Sequence, residues 1–172
     1  MTVRPALPAD VPQILAMIRE LATYEREPDA VLATEADLQS ALFGEHPRAY
    51  ALIADHPAGD AGGAGEGGEG GGQTAGFALY FLNFSTWRGR SGIYLEDLFV
   101  RPAYRGYGYG KALLTELARL CVDRGYGRLE WAVLDWNEPA MGFYRSLGAR
   151  PMTEWTTWRV DGAALQALGG GG

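Results

Sequence analysis

The chain is poor in the residues that mark several large protein classes. It has one cysteine, Cys121, which excludes an internal disulfide and leads us to expect a reducing compartment such as the cytoplasm. It has two histidines, His46 and His56, neither with a partner at metal-ligand spacing. Both are expected at the surface, and no metal site is expected. No apolar run approaches the roughly 20 residues needed to cross a bilayer, and no signal peptide precedes the first predicted strand, so no membrane association is expected. Positive charge is also short: 15 Lys and Arg against 21 Asp and Glu leave a net charge of −6. That balance argues against a nucleic-acid partner and mildly favours a cationic one.

What is present is an ordinary globular composition, 47 % hydrophobic and 21 % charged over 172 residues. We expect one domain, residues 1–168, with a core of its own. Thr2 to Leu7 reads as a short strand, with Pro5 favouring an edge position. Asp10 is positioned to cap a helix that fades near Tyr24 and carries Val11, Ile14, Leu15, Ile18, Leu21 and Ala22 on one face. Thr34 and Asp37 resemble a capping box opening a second helix, which Gly44 ends. Tyr50 to Ala54, Thr74 to Phe84, Ile93 to Val100 and Leu129 to Leu134 read as strands. A long amphipathic helix runs from about Gly108 to Arg124, with Gly125 as its stop, and Cys121 lies on its apolar face as a packing residue. Asn137 caps a helix with Pro139 in its first turn and Gly148 at its end. Met152 to Val160 supplies one or two closing strands, and Ala163 to Leu168 a short helix. Between the second and third strands, residues 57–72 contain nine glycines in sixteen positions, which predicts a flexible connection. The tail, residues 169–172, is expected to be disordered. The order βααβββαβαβ predicts a mixed α/β (α+β) fold, a mixed sheet with helices on both faces.

Chemistry concentrates in Tyr94 to Leu114. Gly106, Gly108 and Gly110 alternate with bulky residues where the long helix begins, so backbone N–H groups and the helix dipole can hold an anion there. Glu96 and Asp97 stand just upstream. A dinucleotide-binding G-x-G-x-x-G requires a small residue where Lys111 or Leu113 stands, and a P-loop requires a glycine at Arg105 and Ser or Thr at Ala112. Neither spacing is met. Arg105 to Gly110 instead fits the (Q/R)-x-x-G-x-(G/A) loop that grips the pyrophosphate of coenzyme A in GNAT acetyltransferases.

The whole chain resembles that superfamily, and more narrowly its diamine acetyltransferase branch. The residues that carry the resemblance are Glu20 to Glu25, Phe43 to Pro47, Ser85 to Arg90, Tyr94 to Val100, Tyr104 to Gly110 and Ala132 to Tyr144. The last block and Ser85 to Arg90 resemble the thialysine N-ε-acetyltransferase side of the branch. The resemblance implies a GNAT fold, with a twisted, mostly antiparallel sheet of about six or seven strands. It also implies transfer of acetyl from acetyl-CoA to the primary amine of a small cationic molecule, by direct attack in a ternary complex. Thialysine, lysine-like amines, diamines and polyamines are the candidates. Polyamine-preferring relatives carry acids where Ser85 and Thr156 stand, which weakens polyamines as acceptors. Acetylation of a protein or peptide amine, and a non-catalytic coenzyme A sensor, are the other readings.

Acetyl transfer needs a neutral amine, yet only about one lysine-type amine in 10³ is neutral at pH 7. Glu96, among Tyr94, Leu95, Leu98 and Phe99, is the candidate to remove that proton, its pKa raised by partial desolvation. Asp97 is expected to be structural or to attract the amine. Pattern alone makes Tyr144 one of an apolar helix face with Ala140, Phe143 and Leu147; the family resemblance implies that it protonates the departing thiolate. By the same resemblance, backbone groups of Leu98, Phe99 and Val100 contact the pantetheine arm. Arg105, Gly106, Tyr107, Gly108, Tyr109, Gly110 and Lys111 hold the pyrophosphate, and Asn137, Glu138, Pro139 and Ala140 complete the cofactor contacts. Tyr24 and Glu25 match the substrate-contacting pair, with Trp87 as a cation–π wall; Glu96 and Asp97 complete the expected substrate contacts. Members of the family imply a homodimer, with exchange through the closing strands.

Overall fold

The computed structural model describes residues 1–57 and 73–170. Apart from Pro57, the expected flexible connection lies outside the described residues, as do the last two glycines. The chain divides into two compact units, Met1–Ala132 and Val133–Gly172.

The first unit is built on a five-stranded sheet in the order β1 (Thr2–Pro5), β2 (Tyr50–His56), β3 (Gln73–Ser85), β4 (Arg90–Val100) and β5 (Leu129–Trp131). Neighbours from β1 to β4 pair antiparallel, and β5 runs parallel to β4. Pro5 is thus on an edge strand, where its missing N–H breaks no ladder. Strand alternation sends side chains to two faces. On one face, Ala51, Ile53, Phe77, Leu79 and Phe99 join Val11, Ile14, Leu15 and Met17 of α1 (Val11–Tyr24) and Leu38 and Leu42 of α2 (Glu35–Phe43) in one core. On the other, Leu52, Ala54, Ala78, Ile93 and Leu95 are buried with Leu113, Leu114, Leu117 and Cys121 of α3 (Tyr109–Asp123). Ile14, Met17, Ile53, Phe77, Leu113 and Leu117 are at most 1 % exposed, so each contributes roughly 1.5–3 kcal/mol of burial.

The helix ends follow local chemistry. The Thr34 and Asp37 box forms in both directions. Asp10 stands at the N-cap of α1 but does not cap it; its carboxylate accepts from Leu7 N–H at 2.6 Å and pairs with Arg4 at 2.7 Å. Gly125, at φ +66°, closes α3 with Tyr126 N–H donating to Cys121 O. The C-terminus of α1 closes the same way without a glycine: Arg26 takes φ +69°, and Glu27 N–H donates to Ala22 O. A non-glycine in this conformation carries about 1–2 kcal/mol of strain, beside Tyr24 and Glu25.

The second unit holds α4 (Glu138–Ser146) and α5 (Gly162–Gly169). Gly169 therefore ends a helix instead of opening a disordered tail. The expected closing strands over 152–160 do not form among the described residues, which leaves five strands in place of six or seven. A strand exists only where a ladder partner supplies its hydrogen bonds, and residues 150–160 are exposed throughout, Trp158 at 90 %. The strand expected over Leu129 to Leu134 stops at Trp131, because its parallel partner leaves the register at the next residue of β4.

Candidate active site

That departure is a bulge. Leu79 pairs with Asp97 and Tyr80 with Leu95, so Glu96 is the extra residue of β4. Before it, Tyr94 faces the α1 side and stacks on Phe81 at 5.1 Å. After it, Asp97 occupies that same side opposite Leu79, and Glu96 is left exposed. Burial of a charged carboxylate is unfavourable, and this desolvation pushes the Asp97 carboxyl up to about 6, with the charges of Glu96 and Glu25 adding to it. Glu25, at the C-cap of α1, is itself raised by desolvation. Expectation thus reverses for the two strand acids: Asp97, not Glu96, is the desolvated one.

The bulge also ends the pairing on the other edge of β4. Its last partner on β5 is Trp131, opposite Leu95, while pairing with β3 continues to Val100. The β5-facing edge from Glu96 to Val100 is therefore left without a neighbouring strand among the described residues. An extended chain can pair there, as in strand addition. Val100 O is already taken by Arg105 Nε at 3.1 Å.

The glycine loop follows directly. Gly106 and Gly108 sit at φ +85° and +86°, a region that side-chain-bearing residues avoid. A Cβ at Gly106 would meet no heavy atom within 4 Å, so the loop leaves open space where a group could lie against bare backbone. The ladder of α3 begins with Ala112 N–H donating to Gly108 O, so the amide end of a 15-residue helix opens on the loop. These residues fit a pyrophosphate. Tyr107 and Lys111 are exposed beside it. The Arg105 guanidinium lies 5.1 Å over the Tyr24 ring and 5.9 Å over Phe99. Tyr24, Glu25, Asp97, Phe99 and Arg105 thus form one neighbourhood at the end of α1.

In the second unit, Asn137 is 9 % exposed and its Oδ1 accepts from Ala140 N–H at 3.4 Å, capping α4 with Glu138 and Pro139 in its first turn. Tyr144 lies on that helix beside Phe143, ring centroids 5.4 Å apart.

A family model described as "Acetyltransferase (GNAT) family" matches residues 18–149. The chain belongs to the GNAT acetyltransferase family. It is 40 % identical over 171 residues to thialysine N-epsilon-acetyltransferase of Bos taurus, covering 98 % of this chain and 96 % of that one. It is 34 % identical to L-ornithine N5-acetyltransferase of Arabidopsis thaliana, covering 96 % of this chain and 86 % of the relative. Among solved structures, an integron cassette protein from the mobile metagenome of V. cholerae superposes with a TM-score of 0.75 at 27 % identity, covering 98 % and 96 % of the two chains. This GNAT chain is accordingly an N-acetyltransferase enzyme.

One predicted site residue stands apart from the neighbourhood around Asp97. Trp87 is 89 % exposed in the turn between β3 and β4, and the ladder from Ser85–Arg90 to Leu79–Asp97 puts it roughly 20 Å away. His56, expected at the surface, is 5 % exposed; His46 is exposed as expected. The alternation Leu52, Ala54, His56 on β2 already places His56 on the α3 face, a signal that metal-ligand spacing does not carry. Among the described residues, no group of His, Cys, Asp or Glu is placed to hold a metal ion, and no helix is long and apolar enough to cross a membrane.

Proposed function

We propose that the enzyme transfers acetyl from acetyl-CoA to the primary amine of a small, cationic, lysine-like molecule by direct attack in a ternary complex. Asp97 carries this reading: a half-buried carboxylate held near pKa 6 beside a second desolvated acid, Glu25, and within reach of the Tyr24 ring and the glycine loop. Two acids and an aromatic suit an ammonium group better than a neutral or anionic acceptor. The relatives named for thialysine and ornithine act on amines of that kind.

In the reaction a C–N bond forms to the acetyl carbon as its C–S bond breaks. Asp97, ionised above pH 6, draws the ammonium group in, and Glu96 on the bulge removes the proton that the amine must lose. The backbone of Leu98 and the Val100 N–H, on the open edge of β4, hold the donor's arm and its carbonyl. The amides of Gly106, Gly108 and Gly110, with Lys111, hold its pyrophosphate, and the family resemblance adds Asn137 to Ala140 as cofactor contacts. Tyr144 returns a proton to the departing thiolate, a phenol near pKa 10 being a fair match for a thiol near 8.5.

We further infer a cytoplasmic homodimer. Met152, Trp155, Trp158 and Val160 are exposed in a segment that forms no ladder among the described residues, and a second copy would cover them. Sedimentation equilibrium giving only monomer at micromolar concentration would refute the dimer. The acetyl-transfer reading is tested by incubation with acetyl-CoA and a panel of amines and peptides. Peptide turnover outrunning every small amine would move the assignment to a protein acetyltransferase.

A further inference from the structure

His56 and Gln73 are cross-strand partners at the base of the connection between β2 and β3. Each is bonded to a tyrosine at one end of the glycine loop. The Tyr104 hydroxyl donates to Gln73 Oε1, and the Tyr109 hydroxyl is hydrogen-bonded to His56 Nδ1 at 2.6 Å. The imidazole lies among three tyrosine rings, with centroids 5.0 Å from Tyr104, 5.8 Å from Tyr107 and 6.0 Å from Tyr109. Those tyrosines frame Arg105, Gly106 and Gly108, so one buried side chain touches the loop before, between and after its two positive-φ glycines.

We propose that His56 is a positioning residue for the anion-holding loop, fixing it through Tyr109 while Gln73 fixes its other end through Tyr104. The inference rests on the coenzyme A reading of that loop. Two positive-φ glycines give a loop many accessible backbone states, and holding each residue in one state costs about 1–2 kcal/mol. A loop ordered beforehand binds its anion without that loss. Tyr109 is also the first residue of α3 and only 2 % exposed, so the His56 bond sets where the helix dipole ends. His56 Nε2 has no hydrogen-bond partner among the described residues. A buried nitrogen left so is unfavourable, and an apolar side chain of similar shape would avoid that cost. The imidazole is therefore explained by its Nδ1 bond and not by packing alone.

The test compares His56→Phe, Tyr109→Phe, the double variant and His56→Gln. Coenzyme A affinity is measured by calorimetry, and kcat/KM is measured with acetyl-CoA and with S-acetylpantetheine, which lacks the pyrophosphate. Each single Phe variant should weaken coenzyme A binding about tenfold, as loss of one buried hydrogen bond would. The double variant should be no worse than either single one, and His56→Gln should recover part of the loss. In His56→Phe, kcat/KM with S-acetylpantetheine should be unchanged. Unaltered coenzyme A affinity in the single variants, or equal losses with both donors, overturns the proposal. Tyr109→Phe deletes only a hydroxyl and decides the matter even where His56→Phe does not fold. A wild-type protein that binds no coenzyme A overturns the functional reading as well, whereas a wild type that binds it and variants that match it overturn this inference alone.

Discussion

The guanidinium of Arg105 lies 5.1 Å over the ring of Tyr24, joining the glycine loop to the last residue of α1. One of these residues belongs to the reading of the acetyl donor's site and the other to that of the amine's. Their contact joins residues that stand 81 positions apart in sequence.

Arg105→Ala should therefore raise KM for the amine as well as for acetyl-CoA. An exposed cation–π contact is worth about 0.5–1 kcal/mol, so the amine effect should be roughly two- to fivefold. Steady-state kinetics with each substrate varied in turn checks this. A change confined to acetyl-CoA would show that the stacking has no functional role.

Asp97 makes a stability prediction with a definite sign. Its carboxyl titrates near 6 in the folded chain, above an ordinary aspartate at 3.8, because ionisation in a desolvated place is unfavourable. Its contribution to stability is full below about pH 4 and is lost as pH rises through 6. Asp97→Asn removes that loss, so the variant should be more stable than wild type at pH 7.5, by at most about 3 kcal/mol, and equal to it at pH 4. Activity should fall in the same variant at pH 7.5. Thermal melts at the two pH values read the first effect and amine acetylation the second.

Gly76 lies opposite Val100 in the β3–β4 ladder, and a Cβ there would stand 2.5 Å from Phe99 O and 3.1 Å from Val100 Cα. Real contacts do not come that close, so the backbone of β4 must move. Gly76→Ala should cost about 1–3 kcal/mol of stability. It should also raise KM for acetyl-CoA, since the displaced residues include the open edge of β4. Denaturant unfolding and kinetics measure the two effects separately.

Much of this could be read from local sequence. The α3 pattern, the Thr34 and Asn137 caps and the Gly125 stop depend on neighbours within a turn, and these features form where expected. The bulge at Glu96 could not be read this way, because it depends on counting hydrogen bonds across two strands. It decides which of two adjacent acids is buried. The closing strands are absent for a related reason: Met152, Trp155, Trp158 and Val160 have strand-like character, but a strand also needs a partner that this chain does not supply among its described residues. His56 was legible in the alternation of β2, though its bond to Tyr109 is a contact between residues 53 positions apart.

Tyr144→Phe keeps the ring that sits beside Phe143 and removes only the hydroxyl. If Tyr144 is the proton donor, kcat should fall by about 10²-fold, within the usual range for a general acid. Unchanged kcat would assign the thiolate's proton to another group.

The most direct test of acetyl transfer to a small cationic amine is mass spectrometry of reactions containing acetyl-CoA and a panel of thialysine, lysine, ornithine, diamines, polyamines and peptides. The expected result is a gain of one acetyl group on a side-chain or terminal amine of a lysine-like acceptor, with one free coenzyme A thiol released per product. Coenzyme A binding with no acetylated product from any amine would contradict it.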